Sequence, residues 1–139
     1  MGMKINVKND SELMDMAKKA MKSAYAPYSH FAVGAAVETD DGKVYCGCNI
    51  ENSSYGATNC AERTAIFKAV SEGYRRITRI AICDSNNSFA WPCGICRQVM
   101  SEFAAEEFYV ILEDNGKISN FSLKELLPNS FSGKDMNKK

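Results

Sequence analysis

Residues 60–99 read CAERTAIFKAVSEGYRRITRIAICDSNNSFAWPCGICRQV. Ala61, Ala65, Ile66 and Ala69 recur at helical spacing, so a helix starts near Cys60, with Gly73 as its expected stop. Ile77 to Cys83 is a short apolar run of strand length, and Asp84 to Trp91 reads as a loop. Pro92 suits the first turn of another helix, where its missing N–H costs little, and Ile95, Val99 and Phe103 supply that helix's apolar stripe. A buried strand between two amphipathic helices predicts an α/β domain.

The flanks extend this pattern. Leu13, Ala17, Met21 and Ala24 share one face of a predicted helix over Ser11 to Tyr25, which Pro27 ends. Phe31 to Glu38 and Val44 to Ile50 read as strands around the turn Asp40-Asp41-Gly42-Lys43, and Asn52 to Asn59 as a polar loop. Phe108 to Glu113 and Ile118 to Phe121 flank a second turn, Asp114-Asn115-Gly116-Lys117. Leu123 to Leu127 is a short helix before Pro128, and the polar tail over 132–139 is expected to fray. Tight hairpins require antiparallel pairs, while crossings through helices allow parallel ones. The expected fold is therefore an α/β three-layer sandwich, a mixed five-stranded sheet with helices on both faces, in one domain over residues 1–139.

Composition narrows the partners. The chain has 139 residues, 45% apolar and 24% charged, with formal net charge zero. A polynucleotide binder usually carries a basic excess, because phosphate contacts supply much of its affinity. A small-molecule substrate is expected instead, with no nucleic acid and no membrane. Residues 1–10 lack an apolar signal core, and six cysteines in a cytoplasmic chain point to metal binding or catalysis rather than disulfides.

Two segments carry the chemistry: Cys60-Ala61-Glu62-Arg63 and Pro92-Cys93-Gly94-Ile95-Cys96-Arg97-Gln98. Both fall at predicted helix starts, where unpaired N–H groups and the helix dipole favour a thiolate. Cys93 and Cys96 are one helical turn apart, so their sulfurs point the same way, and Cys60 can meet them from the other helix start. Three thiolates suit Zn²⁺, and a three-ligand site leaves one position for water. Glu62, two residues after Cys60, can reach that water and act as general acid–base without binding the metal. Three thiolates overbalance a dication, and Arg63 is expected to hydrogen-bond the sulfurs and draw off charge.

Plainer readings stand beside these. A lone Cys-x-x-Cys also fits a redox pair or half a structural zinc site. Glu62 also fits a capping-box partner of Asn59, and Arg63 a solvated surface residue. His30 reads as a turn or surface residue. Cys46, Cys48 and Cys83 read as small buried hydrophobes.

Taken together the residues resemble the cytidine deaminase family, in its small homotetrameric form with one zinc per chain. The resemblance spans Ser23 to Phe131. It rests on Tyr25-Ala26-Pro27-Tyr28-Ser29, Phe31-Ala32-Val33-Gly34-Ala35-Ala36, Cys48-Asn49-Ile50-Glu51-Asn52, Cys60-Ala61-Glu62-Arg63-Thr64-Ala65, the Pro92–Gln98 segment and Leu126-Leu127-Pro128. A metal-ligating residue, a non-ligand Glu and then Pro-Cys-x-x-Cys is the known arrangement of zinc deaminases. The resemblance implies hydrolytic deamination of free cytidine or deoxycytidine in pyrimidine salvage. Zinc would sit on Cys60, Cys93 and Cys96, and Glu62 would protonate the ring and shuttle protons. It also implies that Phe31 packs on the pyrimidine, that Asn49 and Glu51 bind the ribose 3′-hydroxyl and that the Ala61 N–H meets the base carbonyl. Phe131 would reach a neighbouring subunit's site.

Trp91, where a smaller residue is expected, and the loop Ser85 to Ala90 depart from the pattern. Three rivals remain: a deaminase of another aminopyrimidine such as blasticidin S, a non-catalytic zinc module with Cys83 or His30 as fourth ligand, and a nucleic-acid editor. Phe31, Asn49 and Glu51 speak against the first, and the neutral charge against the last.

Overall fold

The computed structural model describes residues 3–4 and 9–136. In chain order the elements are β1 (Met3–Lys4), α1 (Asp10–Met21), β2 (Val33–Thr39), β3 (Lys43–Cys48), a 3₁₀ turn at Tyr55–Ala57, α2 (Ala61–Ser71), β4 (Ile77–Asp84), α3 (Gly94–Phe103), β5 (Ala104–Asp114), β6 (Lys117–Ser122), α4 (Leu123–Leu126) and α5 (Gly133–Met136). The sheet order is β1-β3-β2-β4-β5-β6. All neighbours are antiparallel except β4 and β5, which α3 connects in parallel. The five expected strands are present, and the two-residue β1 adds an edge pair on β3 that no sequence pattern marked. No helix among the described residues is long and apolar enough to cross a membrane.

Alternation along the strands sorts the core into two layers. Ala35 and Val37 of β2, Tyr45 of β3, Ile80 and Ile82 of β4, and Val110 and Leu112 of β5 face one way. They pack on Ala61, Ala65, Ile66 and Ala69 of α2 and on Cys96 and Met100 of α3. The intervening residues Ala36, Val44, Ala81, Cys83 and Ile111 face the other way, onto Leu13, Met14 and Ala17 of α1. Helices thus cover both faces of the sheet. Each fully buried Ile or Leu contributes about 1.5–3 kcal/mol relative to exposure.

Two glycines set how closely the helices approach. A Cβ at position 34 would lie 2.1 Å from the Ala17 carbonyl oxygen in α1, and one at position 47 would lie 2.6 Å from the Ala65 nitrogen in α2. The start of α1 is tied to the sheet by Arg79. Its guanidinium donates to Glu38 at 2.8 and 2.7 Å and to Asp10 at 2.9 Å.

The boundaries differ from the sequence reading for identifiable reasons. Helix α1 ends at Met21, short of Tyr25, because the next turns tighten to three-residue hydrogen bonds and the Tyr25 N–H then donates to the Asn49 carbonyl. Pro27 therefore does not end the helix. Pro92 lies outside α3 rather than in its first turn. Cys93 is the N-cap, and its sulfur accepts the Cys96 N–H at 3.5 Å. Strand β5 starts at Ala104, four residues before the expected Phe108, because exposed Glu106 and Glu107 obscure the alternation there. The tail forms the exposed turn α5, where Asp135 accepts from the Ser132 N–H at 2.8 Å; residues 137–139 of the expected frayed segment lie outside the described residues.

Candidate active site

The site forms where the N-termini of α2 and α3 meet over the sheet. Cys60 caps α2, Cys93 caps α3, and Cys96 is the third residue of α3. Their sulfurs all lie within 4.8 Å of one another, with Cys60 and Cys93 at 3.8 Å. Neither Cys83 nor His30, the suggested fourth ligands, joins the cluster. Cys83 faces the α1 layer, and His30 is an exposed turn residue with φ +58°. Cys46 and Cys48 are only partly buried, against the expectation of small buried hydrophobes, because β1 covers β3 only at Lys43 and Val44 and leaves the rest of that strand at the sheet edge.

The charge pattern suits a dication. Hydrogen bonding from Cys96, helped by Arg63, draws the Cys60 thiol down to about 5, against the opposing effect of burial. Cys96 shifts upward because it shares its proton with Cys60 and is itself buried. The Arg63 Nη2 donates to the Cys60 sulfur at 3.3 Å. Its Nε is buried and has no hydrogen-bond partner among the described residues. Three convergent sulfurs with a cation beside them, and no fourth protein donor in the cluster among the described residues, match the ligand set of an open zinc site.

A cavity of about 640 Å³ opens beside the cluster, with Cys60 and Cys93 in its wall. Glu62, the second residue of α2, also lines it although the side chain is only 4% exposed. Burial pushes its carboxyl up to about 7, so it can exchange a proton near neutral pH. Ala61 is the first residue of α2, and its N–H belongs to the group that a helix leaves without an internal acceptor.

Phe31, Asn49 and Glu51 line the same cavity. Asn49 is held on both sides of its amide: Oδ1 accepts from the Val33 N–H at 2.9 Å, and Nδ2 donates to the Phe31 carbonyl at 2.7 Å. Glu51 accepts from the Tyr28 and Ser29 N–H groups at 2.9 and 3.1 Å and from the Ser29 hydroxyl. Both side chains are thereby fixed in orientation. Phe131 does not line the cavity; it is 60% exposed, and its carbonyl accepts from Gln98 at 2.9 Å.

Other wall residues had no assigned role in the sequence. Asp84 ends β4, and its carboxylate accepts from the Asn86 and Ser88 N–H groups at 3.0 and 3.3 Å. It thus shapes the loop that brings Asn86, Ser88, Phe89 and Trp91 to the cavity. An Asp followed by Ser-Asn-Asn-Ser was the available signal, since such side chains cap their own turns.

The family model for the cytidine and deoxycytidylate deaminase zinc-binding region matches residues 7–112, which contain all three cysteines and Glu62. The chain belongs to the cytidine and deoxycytidylate deaminase family. It is 48% identical over 126 residues to a cytidine deaminase of Sporosarcina psychrophila, covering 90% of this chain and 93% of that one. A cytidine deaminase of Halalkalibacterium halodurans is 49% identical over 126 residues, 90% of this chain and 96% of the relative. The crystal structure of cytidine deaminase from Burkholderia pseudomallei superposes with a TM-score of 0.84 at 46% identity, covering 89% of this chain and all of the other. The Burkholderia pseudomallei structure shares the mixed sheet with helices on its faces.

Proposed function

We propose that the chain catalyses hydrolytic deamination of free cytidine and deoxycytidine to uridine and deoxyuridine with release of ammonia. The observation that carries this reading is the buried Glu62 carboxyl in the same cavity as the three-sulfur cluster. Zinc held by Cys60, Cys93 and Cys96 would supply Lewis acidity and activate a water. Glu62 moves both protons of the attacking water in turn, placing one on the ring nitrogen N3 and delivering the other to the departing amine. Its raised pKa suits a group that must both accept and donate near neutrality. Arg63 lowers the negative charge on Cys60 through its hydrogen bond. Phe31 packs on the pyrimidine, and the Ala61 N–H meets the base carbonyl. Asn49 and Glu51 hold the ribose 3′-hydroxyl, with little ordering left to do because both are already oriented.

The unphosphorylated nucleoside is favoured by charge. Among the described residues no Lys, Arg or His lines the cavity, while Glu51, Glu62 and Asp84 do. A 5′-phosphate would meet acidic groups without a cationic partner, a mismatch of several kcal/mol. The reading includes one domain over residues 1–139, a cytoplasmic location where all six cysteines stay free, and a homotetramer in which Phe131 reaches a neighbour's site.

Ultraviolet absorbance of the zinc-loaded protein with cytidine, deoxycytidine, cytidine 5′-monophosphate and blasticidin S tests this. The two nucleosides should turn over with kcat/KM on the order of a hundredfold above the nucleotide. Preference for the nucleotide or for blasticidin S would overturn the substrate assignment, and inertness toward all four would overturn the enzyme reading.

A further inference from the structure

Trp91 stands two residues before Cys93 and lines the cavity while remaining 50% exposed. Two residues of chain put its Cα within about 7 Å of that of Cys93, and both residues share one cavity wall with Glu62. Glu51, Asn49 and Ser29 are polar members of the same wall. The ring is not free to swing. It packs on Phe121 of β6 with centroids 4.9 Å apart and on Phe89 at 5.4 Å, and Phe89 packs on Phe121 at 5.7 Å. The backbone is held as well: the Trp91 N–H donates to the Phe89 carbonyl at 3.0 Å, and Pro92 keeps Trp91 out of helical conformation.

We propose that Trp91 is a specificity-determining residue that reads the substituent on the pyrimidine carbon next to the one losing its amine. The inference rests on the deaminase reading, since it takes the sulfur cluster and Glu62 as the place where that carbon sits. Carbon 5 is the immediate ring neighbour of the reacting carbon and carries hydrogen in cytidine. A rigid indole braced by two aromatic rings cannot yield to a larger group there, and forced overpacking against a fixed wall is unfavourable. The preferred ligands are therefore pyrimidine nucleosides unsubstituted at carbon 5. Removing the indole should admit a methyl group.

The test compares cytidine and 5-methylcytidine as substrates of the zinc-loaded wild type, Trp91→Phe and Trp91→Ser. The readout is kcat/KM for 5-methylcytidine divided by that for cytidine within each preparation, so a partly unfolded fraction cancels. One methyl group in a closely fitted pocket is worth roughly tenfold or more, so the ratio should rise by about that factor in Trp91→Ser and by less in Trp91→Phe. A ratio that stays unchanged in Trp91→Ser overturns the proposal. Trp91 is the sole tryptophan, so its fluorescence reports the same wall without turnover. Cytidine should change the emission, and 5-methylcytidine should require a higher concentration to do so. A fluorescence response in an enzyme that deaminates neither nucleoside would refute the deaminase reading while keeping the wall, whereas turnover with no change in emission would place Trp91 away from the substrate.

Discussion

Replacing Gly47 by Ala should disable the site from outside it. Gly47 lies in β3 under the first two turns of α2, the helix that carries Cys60 at its cap and Glu62 in its first turn. A Cβ at this position would lie 2.6 Å from the Ala65 nitrogen, 2.8 Å from the Thr64 Cβ and 2.9 Å from the Ala61 carbonyl oxygen, against ordinary contacts of 3.4–4 Å. Two of those atoms are backbone, so no side chain can turn aside and the helix itself must retreat. The retreat is roughly 1 Å, and misplacing reacting groups by that much costs on the order of a hundredfold in rate. Overpacking also destabilises by about 1–3 kcal/mol. Gly34→Ala is the matched control. Its Cβ would meet the Ala17 carbonyl oxygen at 2.1 Å, but it pushes on α1, which contributes no residue to the cavity wall. Urea unfolding and steady-state kinetics on both variants separate the two effects. Both should lose stability, and only Gly47→Ala should lose kcat/KM by about a hundredfold while still folded. Wild-type kcat/KM in folded Gly47→Ala would refute the claim that close seating of α2 positions the reacting groups.

Other perturbations have equally definite outcomes. Arg79→Met strands Glu38 and Asp10 beside the sheet and should cost about 3 kcal/mol in urea unfolding at pH 7. Burial alone would raise the Glu38 pKa, but hydrogen bonds from Arg79 and Thr78 outweigh it and lower it from the ordinary 4.5. A depressed carboxyl stabilises the fold above its unfolded pKa and loses that contribution as pH falls through the folded value. The gap between wild type and Arg79→Met should therefore narrow below pH 4.5, and a gap that widens there would contradict the assignment. Arg63→Gln removes the donor to the Cys60 sulfur and should weaken zinc binding roughly 10–100-fold in chelator competition. An unchanged affinity would return Arg63 to the role of a surface residue.

The sulfur cluster was legible because helical spacing fixes the relative direction of Cys93 and Cys96, and because both cysteine segments open helices that bury an apolar stripe. The five longer strands were legible for a similar reason, since runs such as Ile77 to Cys83 have no other way to bury both faces. Features settled by non-local pairing were hidden. Edge strand β1 exists only because β3 offers partners at Val44 and Lys43. The capture of Tyr25 by the Asn49 carbonyl, which leaves α1 short, is likewise invisible along the chain. The fixing of Asn49 by Val33 and Phe31, and of the 85–88 loop by Asp84, also depends on contacts that local patterns do not encode.

Paired zinc analysis and turnover of wild type and Glu62→Gln address the central claim most directly. The account predicts one zinc per chain in both proteins, held by sulfur alone, and a fall in kcat of about 10²–10⁴ in the variant, the usual worth of a positioned general acid–base. Cytidine turnover at the wild-type rate by zinc-loaded Glu62→Gln, or a fourth protein donor on the metal, would contradict it.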